Sequence, residues 1–398
     1  MFNSLVILIL LSLQSSYLQH DFSVRSVVGV CSWSSYFQND FGARTIGLGG
    51  TLPTGITELE SIHLNPAGLT QIDNLLVSIG CKLTEGEVYF PSDPDKILFK
   101  TSEFLPTFTC VAFPIRKNYF LCISLSIPYK KRVAPDWTEE TTPDSPEGTG
   151  RDFRIIDTKR FYALNTSLAW KLKKKLSVGI GLSWLLEQYT SCLQFRNNNI
   201  DNLDWKQSQQ IGVEPILGLL YEINNSFTMG TSLRKGFVRG HYKLTYIEGE
   251  SENDTVYFTE QIREMPEEET LPMIVSSGFG YKVSRRLLLN FSLEFIGWSG
   301  VSHKLNGKSD NPDYLKDVFR LHCGGEYKLS TTAFRVGFYT DPYPFKTEAK
   351  RDQVFLTAGL GFEFKSITLD LAATSSRLIV PSEKRENNYL LSLTYKGF

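Results

Sequence analysis

The chain has 398 residues, a mass of 45.2 kDa, a formal net charge of -1 and a pI of about 6.6. That balance lacks the basic surplus that nucleic-acid binding requires. With 21% charged residues and a mean hydropathy of -0.16 it also excludes a bundle of membrane helices, each of which needs about 20 successive apolar residues. Aromatic residues at 13% and 30 glycines point to a large all-β protein, because aromatics suit half-buried strands and glycines suit bends and close contacts.

Residues 1–20 read as a secretory signal peptide: a short polar start, Phe2-Asn3-Ser4, an apolar run from Leu5 to Leu13, and the small polar stretch Gln14-Ser15-Ser16. Cleavage is expected between Ser15 and Asp21. The six cysteines show no C-x-x-C pair and no histidine spacing of a zinc site. Val30 before Cys31 is too bulky for a lipoprotein cleavage site.

Residues 21–74 do not alternate. They contain Gly42-Ala43-Arg44-Thr45-Ile46-Gly47-Leu48-Gly49-Gly50 and then Asn65-Pro66-Ala67-Gly68-Leu69. Asn65 fits a helix N-cap, Pro66 the first helical position and Gly68 the end of a short turn of helix.

From residue 75 onward, apolar residues alternate with small or polar ones, the period of strands with two different faces. In Ser177–Trp184, Val178, Ile180, Leu182 and Trp184 share one face, with Ser177, Gly179, Gly181 and Ser183 on the other. The segments Leu287–Phe295, Val354–Phe362 and Tyr162–Trp170 repeat the pattern. The period alone does not separate a soluble sandwich from a membrane barrel, but connection lengths do, because outer-membrane barrels have short periplasmic turns and longer outer loops. Tight turns are expected at Arg116-Lys117-Asn118, Lys173-Lys174-Lys175, Asn224-Asn225, Ser284-Arg285, Ser330-Thr331 and Lys365-Ser366. Long polar connections are expected at 85–102, 130–157, 192–206, 236–269, 300–315, 341–351 and 377–387.

This spacing predicts a transmembrane β-barrel of about 14 antiparallel strands over residues 75–398, with both barrel ends on the short-turn side. Tyr119, Trp170, Tyr221, Tyr281, Trp298, Tyr327 and Tyr395 are expected in the aromatic girdles. The tight turns are basic, while the loops hold acidic runs such as Glu248–Glu252 and Glu267–Glu269, read as two solvated faces or as contacts to divalent cations and lipopolysaccharide. Residues 21–74 need somewhere to go, and the lumen is the natural place, as a folded plug.

The G-A-R-x-x-x-L-G-G stretch at Gly42–Gly50, the Asn65-Pro66-Ala67-Gly68-Leu69 segment, the hairpin from Leu271-Pro272 to Trp298-Ser299 and the one from Phe319-Arg320-Leu321 to Pro342 together resemble the FadL/TodX-type outer-membrane transporters of long-chain fatty acids and other hydrophobic compounds. The resemblance implies that Gly42, Gly47, Gly49, Gly50, Asn65, Pro66, Ala67 and Gly68 form an N-terminal hatch. It implies a bacterial outer-membrane location, passive uptake of a hydrophobic small molecule, and an exit sideways through the barrel wall. Such barrels usually end in an aromatic that the barrel-assembly machinery recognises. Phe398 fills that place, with Tyr395 three residues earlier and a bulge at Gly397 to restore the register. An accessory barrel that binds partner proteins in type IX secretion, of the PorV type, shares this architecture and a similar N-P-A segment and is the alternative.

No catalytic motif is present. Gly307-Lys308-Ser309 lacks the earlier glycine of a phosphate loop, and neither H-E-x-x-H nor G-x-S-x-G occurs. His322, between Arg320 and Gly324, reads as a satisfied lumen residue. No cofactor and no metal are expected, and the protein reads as a monomer in contact with outer-membrane lipid and lipopolysaccharide. By the alternation, Lys82, Lys171, Arg234, Arg320 and Arg335 point inward, together with Glu214, Glu294, Glu326 and Glu363. An anionic head group would need a cation there, which makes Arg320, Arg335 and Arg234 the ligand candidates. The competing reading is that these charges pair with one another and with the plug. Apolar residues of the long connections, Ile97-Leu98-Phe99, Trp137 and Tyr246-Ile247, are expected to form an outer landing surface.

Overall fold

The computed structural model describes residues 42–52, 54, 59, 63–91, 96–133, 136–138, 152–197, 200–252, 255–310, 314–346, 352–379, 382 and 384–397. The expected signal peptide and Phe398 lie outside them. No helix among the described residues is long and apolar enough to cross a membrane. Among the described residues, one antiparallel sheet contains every strand, in 19 segments. Three segments, Asp136–Thr138, His303–Leu305 and Lys308–Asp310, are short pieces outside the wall, and two pairs are halves of single wall strands, which leaves 14 strands in a closed barrel.

The strands are β1 (Leu76–Pro91), β2 (Lys96–Arg116), β3 (Tyr119–Val133), β4 (Asp152–Lys173), β5 (Leu176–Asn197) and β6 (Ile200–Glu222). They continue as β7 (Phe227–Arg234 and Phe237–Glu252), β8 (Thr255–Thr270 and Met273–Lys282), β9 (Leu287–Gly297), β10 (Val318–Leu329), β11 (Thr332–Asp341), β12 (Gln353–Phe364), β13 (Ile367–Ser375) and β14 (Lys384–Lys396). β1 closes the sheet against β14 from Leu76↔Lys396 to Val88↔Lys384, so the wall has no free edge along that seam.

The apolar members of each alternation face outward. In β5, Ile180 and Trp184 are 44% and 52% exposed, while Ser177 and Ser183 are 6% and 2% exposed. A soluble sheet would bury the other face. Here the lipid-facing side is a belt of Leu, Ile, Val and Phe, and the interior holds serine, threonine, asparagine and charged side chains, the arrangement a bilayer imposes.

All six expected tight turns are present and lie at one end. Ser330 and Lys365 take positive φ, 55° and 45°, as two-residue hairpins require. The Asn224 Oδ1 accepts from the backbone N–H groups of Ser226 and Phe227, and the Ser284 Oγ accepts from those of Arg286 and Leu287. Tyr119, Tyr221, Tyr281, Tyr327 and Tyr395 are exposed just above these turns and Trp170 pairs with Tyr119, forming one aromatic girdle. Trp298 does not belong to it. It is 2% exposed in the apolar cluster of the barrel interior, because the chain leaves β9 at Gly297 in a 3-10 turn that folds inward over the lumen.

Much of what reads as long loop continues as paired strand. β1 and β2 stay in register to Pro91↔Lys96, β5 and β6 to Asn197↔Ile200, and β7 and β8 to Glu252↔Thr255. In these segments the sequence alternation fades while the backbone pairing continues. Ile97–Phe99 and the acidic runs 248–252 and 267–269 therefore lie on strands. Gly307 completes an Asn306-Gly307 turn, with φ of 51° and 75°, between His303–Leu305 and Lys308–Asp310.

Two N-terminal pieces lie against the inward faces. α1 (Ala43–Gly47) packs on β11 to β14, with the Ala43 N–H donating to Ser392 Oγ at 2.8 Å and Thr357 Oγ1 donating to Gly47 O at 3.1 Å. The 3-10 turn Pro66–Gln71 packs on β3 to β6. Its cap Asn65 accepts from the Ala67 N–H at 3.0 Å, as its sequence predicts, and donates to Leu219 O of β6 at 2.9 Å. The wall makes room by omitting side chains. A Cβ on Gly324 would stand 2.1 Å from Leu48 O, and one on Gly179 would stand 2.4 Å from Ala67 N. Gly324→Ala is therefore expected to displace 42–52 while leaving the barrel intact. Limited trypsinolysis in detergent would show new cleavage at Arg44, and an unchanged digest would refute the close contact.

Candidate functional site

The sheet is interrupted on one side. In β3, Ser126 pairs with Ala163 and Tyr129 with Phe161, so Ile127 and Pro128 together oppose Tyr162. Pro128 lacks an N–H, and such a bulge bends the strand. The β2–β3 ladder stops at Phe108↔Ser126, and residues 96–106 of β2 pair with β1 alone. Above this level the wall has a gap in its hydrogen bonding between β2 and β3. Arg160 of β4 reaches Glu103 of β2 at 2.7 Å, an ion pair that ties the strands flanking β3. Tyr129 is 1% exposed, stacks edge-on against Phe161 and donates its hydroxyl to Glu214 of β6.

On the lipid-facing side at the same height lies an apolar cleft of about 880 Å³, lined among others by Pro106 and Ile127 and by the outward-facing Leu164, Trp184, Ile211 and Phe237. Further breaks line up beside it. Pro215 of β6 stands opposite Lys235-Gly236 of β7, which stands opposite Leu271-Pro272 of β8, where the Leu271 N–H donates to Gly236 O at 2.9 Å. Inside the barrel at this height is an apolar cluster that includes Phe161, Leu185, Val238, Ile274, Trp298 and Phe345.

Beneath and beside that cluster the interior charges form a connected network. Arg335 Nε donates to Glu326 at 2.7 Å and its Nη1 to Asp370 at 2.6 Å, and Arg44 of α1 shares Glu326 at 2.9 Å. Arg320 pairs with Asp341 at 2.5 Å and with Glu294 at 3.5 Å. Arg234 is buried in the same region as Glu214 and Glu294. The three arginine ligand candidates are thus inside, as the alternation requires, but Arg320 and Arg335 already hold two carboxylates each. A ligand carboxylate there would compete with them.

Lys82 is also buried, and Lys171 lies over the Phe120 ring at 5.6 Å. Glu363 is not part of the interior: near the turn at Lys365-Ser366 it is exposed and pairs with Lys328, because the barrel rim is open to water there. His322 Nδ1 contacts Gly49 O at 2.8 Å and its ring stacks on Tyr339, while its Nε2 is buried without a hydrogen-bond partner, so the histidine expected to be satisfied is satisfied through one nitrogen, at the Gly49 turn. Gly49 takes φ of 73° there, and a Cβ would meet Cys323 O at 2.2 Å.

The sequence reading missed a second group. Glu267 and Glu269 of the acidic run turn inward, and Glu268 between them pairs with Arg239 and Lys304 outside. Glu269 pairs with Lys159 of β4, which stands 3.2 Å from Glu187 of β5. Glu267 accepts from Ser208 of β6 and pairs with His303 at 2.7 Å. That hydrogen bond, with the carboxylates of Glu269 and Glu267, raises the His303 pKa above its ordinary value against the opposing effect of burial. Extending the β5 alternation from Ser183 through Leu185 places Glu187 on the inner face, so one signal for this group was present.

Arg335 is 3% exposed at its side chain. Arg335→Met leaves Asp370 buried without its partner and is expected to cost about 3 kcal/mol. Thermal melting followed by heat-modifiable electrophoretic mobility would show the loss, and adding Asp370→Asn should recover most of it.

Comparison with known proteins places this geometry. The family model described as outer membrane protein transport protein (OMPP1/FadL/TodX) matches residues 49–389. No curated protein matches the chain. Among solved structures, a Pseudomonas aeruginosa FadL homologue is 15% identical with a TM-score of 0.66, covering 94% of this chain and 99% of that one. The Ralstonia pickettii toluene transporter TbuX is 14% identical with a TM-score of 0.65, covering 90% and 98%. The Pseudomonas putida toluene transporter TodX is 13% identical with a TM-score of 0.64, covering 90% and 98%. At such identities the likeness is one of fold, and it is the family match over most of the length, on a closed barrel with an apolar outer belt, that settles membership: this chain belongs to the OMPP1/FadL/TodX family of outer membrane transport proteins.

Proposed function

We propose that this protein carries hydrophobic small molecules, of the long-chain fatty acid or monoaromatic kind, passively across the outer membrane and releases them sideways through the β2–β3 gap. The observation that carries the reading is the interrupted ladder at Phe108↔Ser126 with an apolar cleft of about 880 Å³ at the same height. A greasy solute gains about 25 cal/mol per Å² of apolar surface it buries, so an apolar cluster leading to an apolar gap is a favourable path where a water-filled pore is not.

Residues 21–74 act as the plug in this reading, with Gly42, Gly47, Gly49 and Gly50 fitting α1 and its turn against β10 to β12, and Asn65–Gly68 fitting the 3-10 turn against β5 and β6. Arg44 and the His322–Gly49 contact are the ties that a moving hatch would break. Arg320, Arg335 and Arg234 serve an anionic ligand only by exchanging a wall carboxylate for the ligand's. Transport is the whole activity, with no catalytic step.

The test locks the gap. Cells that lack their own uptake channels and express the protein should take up labelled toluene or oleate. Glu103→Cys with Arg160→Cys, joined by a bis-methanethiosulfonate cross-linker long enough to span two strand spacings, should cut that uptake about tenfold, with reductant restoring it. Uptake unaffected by the cross-link would rule out the sideways route.

A further inference from the structure

Two polar side chains of the outer interior are left without the hydrogen bonds that buried groups ordinarily make. Gln210 of β6 is 0% exposed, and neither its amide nitrogen nor its amide oxygen has a partner. Glu187 stands directly opposite on β5 and is 1% exposed. Neither of its oxygens makes a hydrogen bond, although Lys159 stands 3.2 Å away as an ion pair. Buried polar atoms left unmatched destabilise the fold, and native interiors rarely tolerate them without a reason. These two border the apolar cluster directly: Phe161 of β4 is the register partner of Glu187, and Leu185 lies two residues before it on the same face.

We propose that Gln210 and Glu187 form a hydroxyl-binding subsite, so that the protein selects hydrophobic compounds bearing a hydroxyl group, phenols or alcohols, over both plain hydrocarbons and carboxylic acids. The inference rests on the uptake reading and narrows its substrate class. A hydroxyl has one proton to give and lone pairs to receive. It donates to the Glu187 carboxylate and accepts from the Gln210 amide nitrogen, while its apolar body lies against Phe161 and Leu185. A hydrocarbon leaves Gln210 unmatched and Glu187 with Lys159 alone. A carboxylate would meet Glu187, Glu269 and Glu267 with Lys159 and His303 as the neighbouring cations, and those are already engaged with these same carboxylates. An ammonium group would donate to Glu187 and to the Gln210 amide oxygen but would leave the Gln210 amide nitrogen, a donor, without an acceptor.

Three probes of one shape separate these cases: toluene, p-cresol and 4-methylbenzoate. Each is titrated calorimetrically into the full-length protein in nanodiscs, with empty nanodiscs as the blank. The wild type should bind p-cresol about tenfold tighter than toluene, although toluene leaves water more readily, and 4-methylbenzoate most weakly. In Gln210→Leu the preference for p-cresol over toluene should fall to about one. Glu187→Gln provides the same comparison should Gln210→Leu fail to fold. Equal affinities, or tighter toluene, in the wild type would overturn the subsite and leave the uptake reading standing, as would tighter 4-methylbenzoate. Binding of none of the three would remove the uptake reading, and the subsite with it.

Discussion

Every backbone N–H and C=O that crosses hydrocarbon must be paired within the protein, because nothing in the bilayer can pair with it. A closed antiparallel sheet satisfies that demand, and its cost is an inverted pattern: the apolar face must turn outward and the polar face inward. Ile180 and Trp184 face lipid while Ser177 and Ser183 face the interior. The rest of the molecule follows from having to fill a polar, enclosed space.

The filling is largely electrostatic. Arg335 bridges β10 and β13 through Glu326 and Asp370, and Arg44 joins the same carboxylate from the N-terminal segment. Charges buried this way are stable only as a set, since each unpaired member would carry its own desolvation penalty. The network therefore links the wall to the residues packed inside it, and wall glycines such as Gly324 and Gly179 provide the room.

The proposed sideways release requires the opposite of closure at one place. Pro128, Pro215 and Pro272 and the break at Lys235-Gly236 gather on one flank of the barrel, where ladder bonds are missing or shifted. Proline cannot donate to a ladder, so the discontinuity is built into the covalent chain. The apolar cleft lies against it, and the Arg160–Glu103 pair spans it. On either side of this defect the β1–β2 and β3–β4 ladders continue to the outer end of the strands, the first across a shift at Gly80/Cys81 and the second across the Pro128 bulge.

The sequence by itself determined the strand period, all six tight turns, the Asn65 cap and the inward direction of Arg234, Arg320 and Arg335, because each is a local property of residues a few positions apart. It misplaced Trp298 and the ends of the outer hairpins, where pairing continues past the point at which the period fades, and it set Glu363 inside when the rim is open to water. Only the tertiary structure decided which charges meet, that the β2–β3 ladder stops at Phe108, and that the partnerless Gln210 amide stands beside Glu187. Those facts depend on register between strands and on where the N-terminal segment lies, and neither is written in the spacing of residues along one strand.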